Sequence, residues 1–212
     1  MLAVEAKRAR RKPEGITFTQ AASLPVAALT ALNGLRQCRE LKGKSVAING
    51  ATGGVGHFAL QIANACGARV TAVCRGTKTE LARHLGAEVV IDYTQQDFTK
   101  AGKKYDVIFD AFAHQGFAHF KPVLAPRGFY AATLPSPSFI LRYTIQAIIS
   151  GPRVVSAGLR ARPEDYLDLQ GLVLSGAVQP VVEQKFTLAK GRQAFELAET
   201  GTARGKIIID LS

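Results

Sequence analysis

Residues 49–75 read "NGATGGVGHFALQIANACGARVTAVCR". An apolar run enters a cluster of glycines, and the residues beyond the cluster turn helical in period. Val55, Ala59, Ile62, Ala63 and Cys66 fall at i, i+4, i+7, i+8 and i+11, one face of a helix. A second apolar run, "ARVTAVC" (68–74), follows and ends on Arg75. This strand–turn–helix–strand setting is the one that makes a glycine pattern informative. Read from Ala51 through Gly53 to Gly56, the turn is A-x-G-x-x-G, a dinucleotide fingerprint with alanine in first place. Gly53 would let the backbone approach a pyrophosphate, and Gly56 would let the helix pack closely on the strand. The helix N-terminus offers free N–H groups and partial positive charge to phosphate. The plain alternative is a glycine turn that serves packing alone.

The rhythm continues on both sides. "SVAING" (45–50), "EVVID" (88–92), "YDVIFDA" (105–111) and "GFYAAT" (128–133) are brief, apolar and free of polar alternation, as expected of strands buried on both faces. Thr77 and Glu80 form a T-x-x-E pattern that predicts a capped helix start, with Leu81 and Leu85 on one face. Alternating strands and helices imply an α/β fold: a Rossmann-type doubly wound parallel sheet. "LPSPSF" (134–139) reads as a loop and "RVVSAGL" (153–159) as a further strand. A helix from Pro163 to about Gly176 follows the proline-first, glycine-last asymmetry. The tail holds a strand in "VVEQKF", a helix in "LAKGRQAFELAETG" and a strand in "GKIIIDL", at a different spacing. It reads as part of another folding unit.

The chain has 212 residues, 47% of them apolar, enough for a substantial core. It carries a net charge of +11, with "KRARRK" at 7–12, an excess that suits anionic partners or simply a solvated basic terminus. The N-terminus lacks the apolar segment of a signal peptide, and the apolar stretch around Pro25 is too short to span a bilayer. A cytoplasmic protein with no membrane partner is expected. Cys38, Cys66 and Cys74 show no disulfide or zinc-ribbon spacing, and Cys66 and Cys74 read as small buried apolar residues. His57, His84, His114 and His119 form no metal-ligand pattern. Ser136 and Ser138 lack a nucleophile-elbow setting.

Enzymes that prefer NAD carry an acid near the end of the second strand, where it binds the ribose 2′-hydroxyl. Here that strand ends in Cys74-Arg75, and Lys78 comes soon after. Two cations suit a 2′-phosphate, with Arg75 able to hold it bidentately. Two ordinary surface bases are the alternative.

"PEGITFTQAASLPVAALTALNGL", "GKSVAINGATGGVG", "LGAEVVIDY", "YDVIFDAF" and "GKIIIDL" resemble the quinone oxidoreductase branch of the medium-chain dehydrogenase/reductases, the zeta-crystallin-like proteins. The resemblance implies NADPH-dependent, zinc-independent reduction of quinones or enones. It places Gly53, Gly54 and Val55 at the pyrophosphate, Arg75 and Lys78 at the 2′-phosphate, and Tyr93 beside the adenosine phosphate. It also places Thr30 near the nicotinamide, and Ala111, Phe112, Ala132 and Leu134 in cofactor-lining loops. For Ala111, Phe112 and Leu134, core packing is the equal alternative. Ala27 stands where zinc-dependent relatives carry a cysteine.

Members of that family begin with a partly open β-barrel domain, of GroES-like type, that this chain mostly lacks. Residues 1–14 read as its remnant, 15–180 as the Rossmann domain and 181–212 as the segment returning to the barrel. No catalytic residue is assigned. An NADPH-dependent reductase needing completion for full activity is expected, as a homodimer through the "RVVSAGL" edge strand. A non-catalytic NADPH-binding module and a basic nucleic-acid-binding protein are the alternatives. No nucleic-acid-binding motif supports the last.

Overall fold

The computed structural model describes residues 11–133 and 151–211. The loop expected at 134–139, the apolar segment after it and Leu134 lie outside the described residues, as do most of the basic residues of "KRARRK". The chain enters through two helices, α1 (Phe18–Ser23) and α2 (Ala27–Gln37). Then come β1 (Ser45–Asn49), α3 (Gly56–Ala65), β2 (Arg69–Cys74), α4 (Thr79–His84), β3 (Val89–Asp92) and β4 (Tyr105–Asp110). The short α5 (Gly116–Phe120), β5 (Leu124–Ala132), β6 (Arg153–Ser156) and α6 (Pro163–Leu174) follow. The tail is β7 (Val182–Thr187), α7 (Gly191–Glu199) and β8 (Lys206–Asp210).

β1 to β6 form one sheet in the order β3-β2-β1-β4-β5-β6, parallel throughout. This is the expected Rossmann-type architecture, with the order reversing beside β1. The strands alternate between two apolar clusters. Val46 and Ile48 of β1, with Val107 and Phe109 of β4, join the larger cluster with α2 and α3. Ala47, Tyr105, Ile108 and Tyr130 point the other way, onto Phe98, Phe117 and Phe120. Apolar side chains on both faces explain why the sequence shows continuous runs rather than alternation.

β7 and β8 pair in parallel in a separate two-stranded sheet. This small unit is tied back at a few points. Gly205 N–H donates to the Thr52 carbonyl at 2.9 Å. Gln61 exchanges two hydrogen bonds with the Gln179 backbone, at 2.9 and 2.8 Å.

Two expectations are corrected. Thr77 does not cap a helix: a 3-10 turn spans Gly76–Lys78, α4 starts at Thr79, and its N-cap Lys78 makes no side-chain cap bond. A reciprocal capping box lies instead at Thr17 and Gln20, opening α1. Cys66 is exposed rather than buried, because α3 ends at Ala65 and Cys66 is already its C-cap. Cys74 is buried as expected. Among the described residues, no helix is long and apolar enough to cross a membrane.

Candidate dinucleotide site

The glycine turn sits at the carboxyl end of β1. Gly50 takes φ +75°, a left-handed conformation that glycine adopts without strain, and donates to the Val73 carbonyl at 3.0 Å. The sharp bend is therefore at Gly50, one residue before the Ala51 from which the fingerprint was read. A Cβ on Gly56 would lie 2.0 Å from the Gly50 carbonyl oxygen, so the close packing expected of Gly56 is real. A Cβ on Gly53 would come within 3.3 Å of that same oxygen. Val55 is the N-cap of α3, with no side-chain cap bond.

His57, in the first turn of α3, was considered in the sequence only as a metal ligand. It is fully buried. Its Nδ1 lies 2.8 Å from the Gly53 carbonyl, which accepts its proton, and Nε2 is buried without a partner among the described residues. Burial pushes its pKa down to about 4, so the ring is neutral at pH 7. The turn thus receives no charge from His57.

Positive charge arrives instead from the tail. A Cβ on Gly54 would meet the Gly205 carbonyl at 3.5 Å and the Lys206 Nζ at 4.0 Å. Burial lowers the Lys206 pKa. Lys206 was not singled out in the sequence, where "GKIIIDL" read only as a strand.

At the end of β2, Arg75 is exposed, and its Nε donates to the Tyr93 hydroxyl at 3.3 Å. Lys78 Nζ donates to the carbonyls of Thr202 and Ala203 at 2.5 and 3.1 Å, so it is engaged by the tail. Arg204 follows, held by Glu183 at 2.9 and 3.1 Å. Asp92, at the end of β3, is an acid that the sequence reading passed over. Its Oδ1 accepts from the Thr94 N–H and hydroxyl at 2.9 and 2.8 Å. Bonds from Thr94, then from Gly76, with Arg75 nearby, hold its carboxyl below the usual range. A Cβ on Gly76 would lie 2.3 Å from its Oδ2, so Asp92 is packed against that turn.

The loop after β4 lies against Gly50, whose Cβ position is 3.5 Å from the Phe112 Cβ and 3.8 Å from the Ala111 Cβ. The buried Asp110 shapes this loop. Its Oδ1 accepts from Asn49 Nδ2 and from the N–H groups of Phe112 and Ala113 at 2.9, 3.2 and 2.9 Å. Its Oδ2 accepts from the Tyr130 hydroxyl at 2.6 Å. Ala113 takes φ +54°, unusual for alanine, within this arrangement. Phe112 is exposed, whereas Ala132 is buried among core side chains and offers no contact surface. Thr30 is buried in the first turn of α2. The structure thus gathers Gly53, Gly54, Ala111 and Phe112 around one turn, with Arg75, Lys78 and Tyr93 at the neighbouring strand ends. It puts Ala132 behind the surface.

Residues 85–209 match a family model described as "Zinc-binding dehydrogenase". The chain belongs to this family, within the medium-chain dehydrogenase/reductase superfamily. It is 33% identical over 211 residues to a chloroplast envelope quinone oxidoreductase homolog of Arabidopsis thaliana, covering 94% of this chain and 64% of that protein. It is 36% identical over 217 residues to an NADPH-dependent alkenal/one oxidoreductase, chloroplastic, of the same plant, covering 98% of this chain and 51% of that protein. The solved quinone oxidoreductase from Coxiella burnetii superposes with a TM-score of 0.84 at 28% identity, over 96% of this chain and 64% of that one. The chain therefore spans less than two thirds of the length of these relatives. Both plant relatives carry chloroplast names, which lends no support to the expected cytoplasmic placement. Despite the family's name, no group of three or more His, Cys, Asp or Glu side chains suited to a metal occurs among the described residues.

Proposed function

We propose that this chain binds NADPH and serves zinc-independent reduction of quinones or enones. The observation that carries the reading is the cationic end of β2, Arg75 with Lys78 and Arg204 close by, beside the glycine turn after β1. A 2′-phosphate would find Arg75 exposed. It would also compete with the Thr202 and Ala203 carbonyls for Lys78, exchanging neutral acceptors for a charged one. The pyrophosphate would lie against Gly53 and Gly54, with Lys206 supplying the counter-charge. Asp110 would hold Ala111 and Phe112 at the mouth of the nicotinamide pocket, and Tyr93 would pack beside the adenosine phosphate. Thr30, in the first turn of α2, is proposed near the nicotinamide.

Bound NADPH would supply a hydride, and the quinone or enone would take it together with one proton from solvent. The residues named above bind, orient and exclude water; no proton donor is assigned among them. The division at residues 14–15 and 180–181 is proposed to separate the nucleotide-binding unit from segments belonging to a catalytic domain.

NADPH should bind at least about tenfold more tightly than NADH, ~1.4 kcal/mol. Arg75→Ala with Lys78→Ala should erase most of that gap. Fluorescence titration reads both, and equal affinities for the two cofactors in the unmutated chain would overturn the assignment. β6 is the edge strand of the large sheet, and an open edge invites pairing. An isologous homodimer through β6 is therefore proposed. Light scattering at about tens of micromolar, within the range in which interfaces of ordinary affinity are filled, should give twice the monomer mass; a monomer would refute it.

A further inference from the structure

β4 is an interior strand of the large sheet, flanked by β1 and β5, so the loop leaving its carboxyl end lies at neither sheet edge. The strand order turns back between β1 and β4, and open α/β sheets take their ligands in the crevice at such a point. Phe112 stands in that loop. The ring of His114, also exposed, lies against it with centroids 4.2 Å apart and planes tilted by 46°. Phe112 is still 58% exposed, so this contact leaves most of its surface open.

Exposure alone does not mark a site, since Phe18 and Phe195 are exposed as well. Those two sit on helices, α1 and α7. Phe112 is instead held by bonds that reach into the core. Oδ1 of the buried Asp110 accepts from the N–H groups of Phe112 and Ala113 at 3.2 and 2.9 Å. The same carboxylate is fixed from both flanking strands, by Asn49 Nδ2 of β1 at 2.9 Å and by the Tyr130 hydroxyl of β5 at 2.6 Å. Between the two rings Ala113 takes φ +54°, a left-handed conformation that disfavours a side chain. Such strain persists only where the surroundings over-determine it, and it gathers at functional sites. Here a buried carboxylate holds the strained residue, and the ring fixed beside it faces solvent. Packing gains nothing from fixing an exposed ring, so the arrangement calls for a ligand.

A phenyl face carries the negative part of its quadrupole and stacks, offset, on a flat partner. An electron-poor ring suits it best. An open-chain enone presents a shorter flat surface and gains less from the same contact.

We propose that Phe112, with His114, is a specificity-determining platform that selects planar ring acceptors over open-chain ones, and that Asp110 is the positioning residue that sets it. The platform rests on the proposed function, because the ring it selects is the acceptor of that reaction. Tyr130 acts through Asp110 and touches no ligand.

The test is calorimetric titration of the full chain, saturated with NADP+, which has no hydride to give. The probe is anthraquinone-2-sulfonate, a flat quinone whose fused rings keep it from adding the exposed Cys66 thiol. Salt at about 0.15 M screens its sulfonate beyond roughly 8 Å. One saturable site is expected, with a dissociation constant on the order of 100 μM. Mesityl oxide, an open-chain enone, should bind at least about tenfold more weakly. Phe112→Leu with His114→Leu should weaken the quinone about tenfold while keeping the melting temperature of the parent, since both side chains are exposed. Tyr130→Phe keeps its ring in the core but frees one carboxylate oxygen of Asp110. It should weaken the quinone about threefold and leave mesityl oxide unchanged, a shift in ratio that a loss of stability alone does not produce. Quinone affinity unchanged in the double variant, no saturable binding up to about 2 mM, or mesityl oxide binding as tightly as the quinone would overturn the platform. An unchanged ratio in Tyr130→Phe would overturn the positioning role. NADP+ failing to bind would count against the proposed function, and the quinone titration, run without it, still decides the platform.

Discussion

β1 and β8 are both five-residue parallel strands, yet they hold their places differently. In β1, Ser45 to Ile48 are buried, with side chains on both faces inside apolar clusters. In β8, Lys206 to Ile209 are only half-buried and Asp210 is exposed. The first strand is secured by packing all round. The second is secured by its neighbour β7 and by a handful of backbone bonds at its entrance, from Gly205 and Lys206. Stability should therefore be uneven, high in the six-stranded sheet and low in the small one. The candidate phosphate site straddles the two, since the turn belongs to one and Lys206 to the other.

The sharpest way to break this contrast is a pair of glycine substitutions. Gly56→Val puts a Cβ 2.0 Å from the Gly50 carbonyl, in the middle of the large sheet's first turn. It should cost more than about 4 kcal/mol and abolish cooperative folding by circular dichroism. Gly205→Val puts a Cβ 2.2 Å from the Val181 carbonyl, at φ +67°. It should release the small sheet only, leaving most ellipticity intact while proteolysis between β7 and β8 accelerates. If both variants unfold the whole chain, the two sheets are one cooperative unit and the contrast fails.

The next effect is pH dependence from the turn itself. His57 stays neutral when folded, with a pKa of about 4, while the unfolded ring titrates near 6.5. Its contribution is fully present above pH 6.5 and is lost as pH falls towards 4, because only the unfolded chain takes up the proton. The loss should approach about 3 kcal/mol. Chemical denaturation across that window should be markedly flatter in His57→Gln; equal slopes would show that another group governs the acid limb. Asp165 acts at lower pH. Burial alone would raise its pKa, but Arg162 and Arg36 more than offset this and hold it below normal.

A smaller structural change separates binding from folding. At Gly53 the nearest obstacle to a Cβ is the Gly50 carbonyl at 3.3 Å, a tight contact but not a collision. Gly53→Val should therefore keep the fold at a cost of about 1 kcal/mol while removing measurable NADPH binding. Normal NADPH affinity in this variant would move the cofactor off the turn.

The large sheet was legible because burial on both faces writes itself as continuous apolar runs, and Val46 to Ile48 or Val107 to Phe109 need no long-range knowledge to interpret. Helix ends were less legible. Thr77–Glu80 and Thr17–Gln20 present the same kind of local pattern, and only the 3-10 turn at Gly76–Lys78 disqualifies the first. Cys66 fits the helical face by spacing, but a spacing argument does not see where α3 stops. The left-handed bend at Gly50 was not legible, because the fingerprint, read from Ala51, records residue types and not φ. Lys206 and the bonds of Lys78 to Thr202 and Ala203 were invisible, since they join residues far apart in the chain. The role of Asp110 likewise depends on a loop conformation that converges Asn49, Phe112, Ala113 and Tyr130 on one carboxyl group.

The hydrogen bond from Gly205 to the Thr52 carbonyl also has a meaning in time. On the ribosome Thr52 emerges first, and the rest of the large sheet is made before Gly205 appears. At ~5–20 residues per second that interval lasts roughly 8–30 s. In the later part of that period, after β6, the glycine turn stands with its strands in place but without Lys206 against it. The nascent chain has the shape of a nucleotide-binding unit before it has the full charge of one, and it acquires that charge only when its last strand docks.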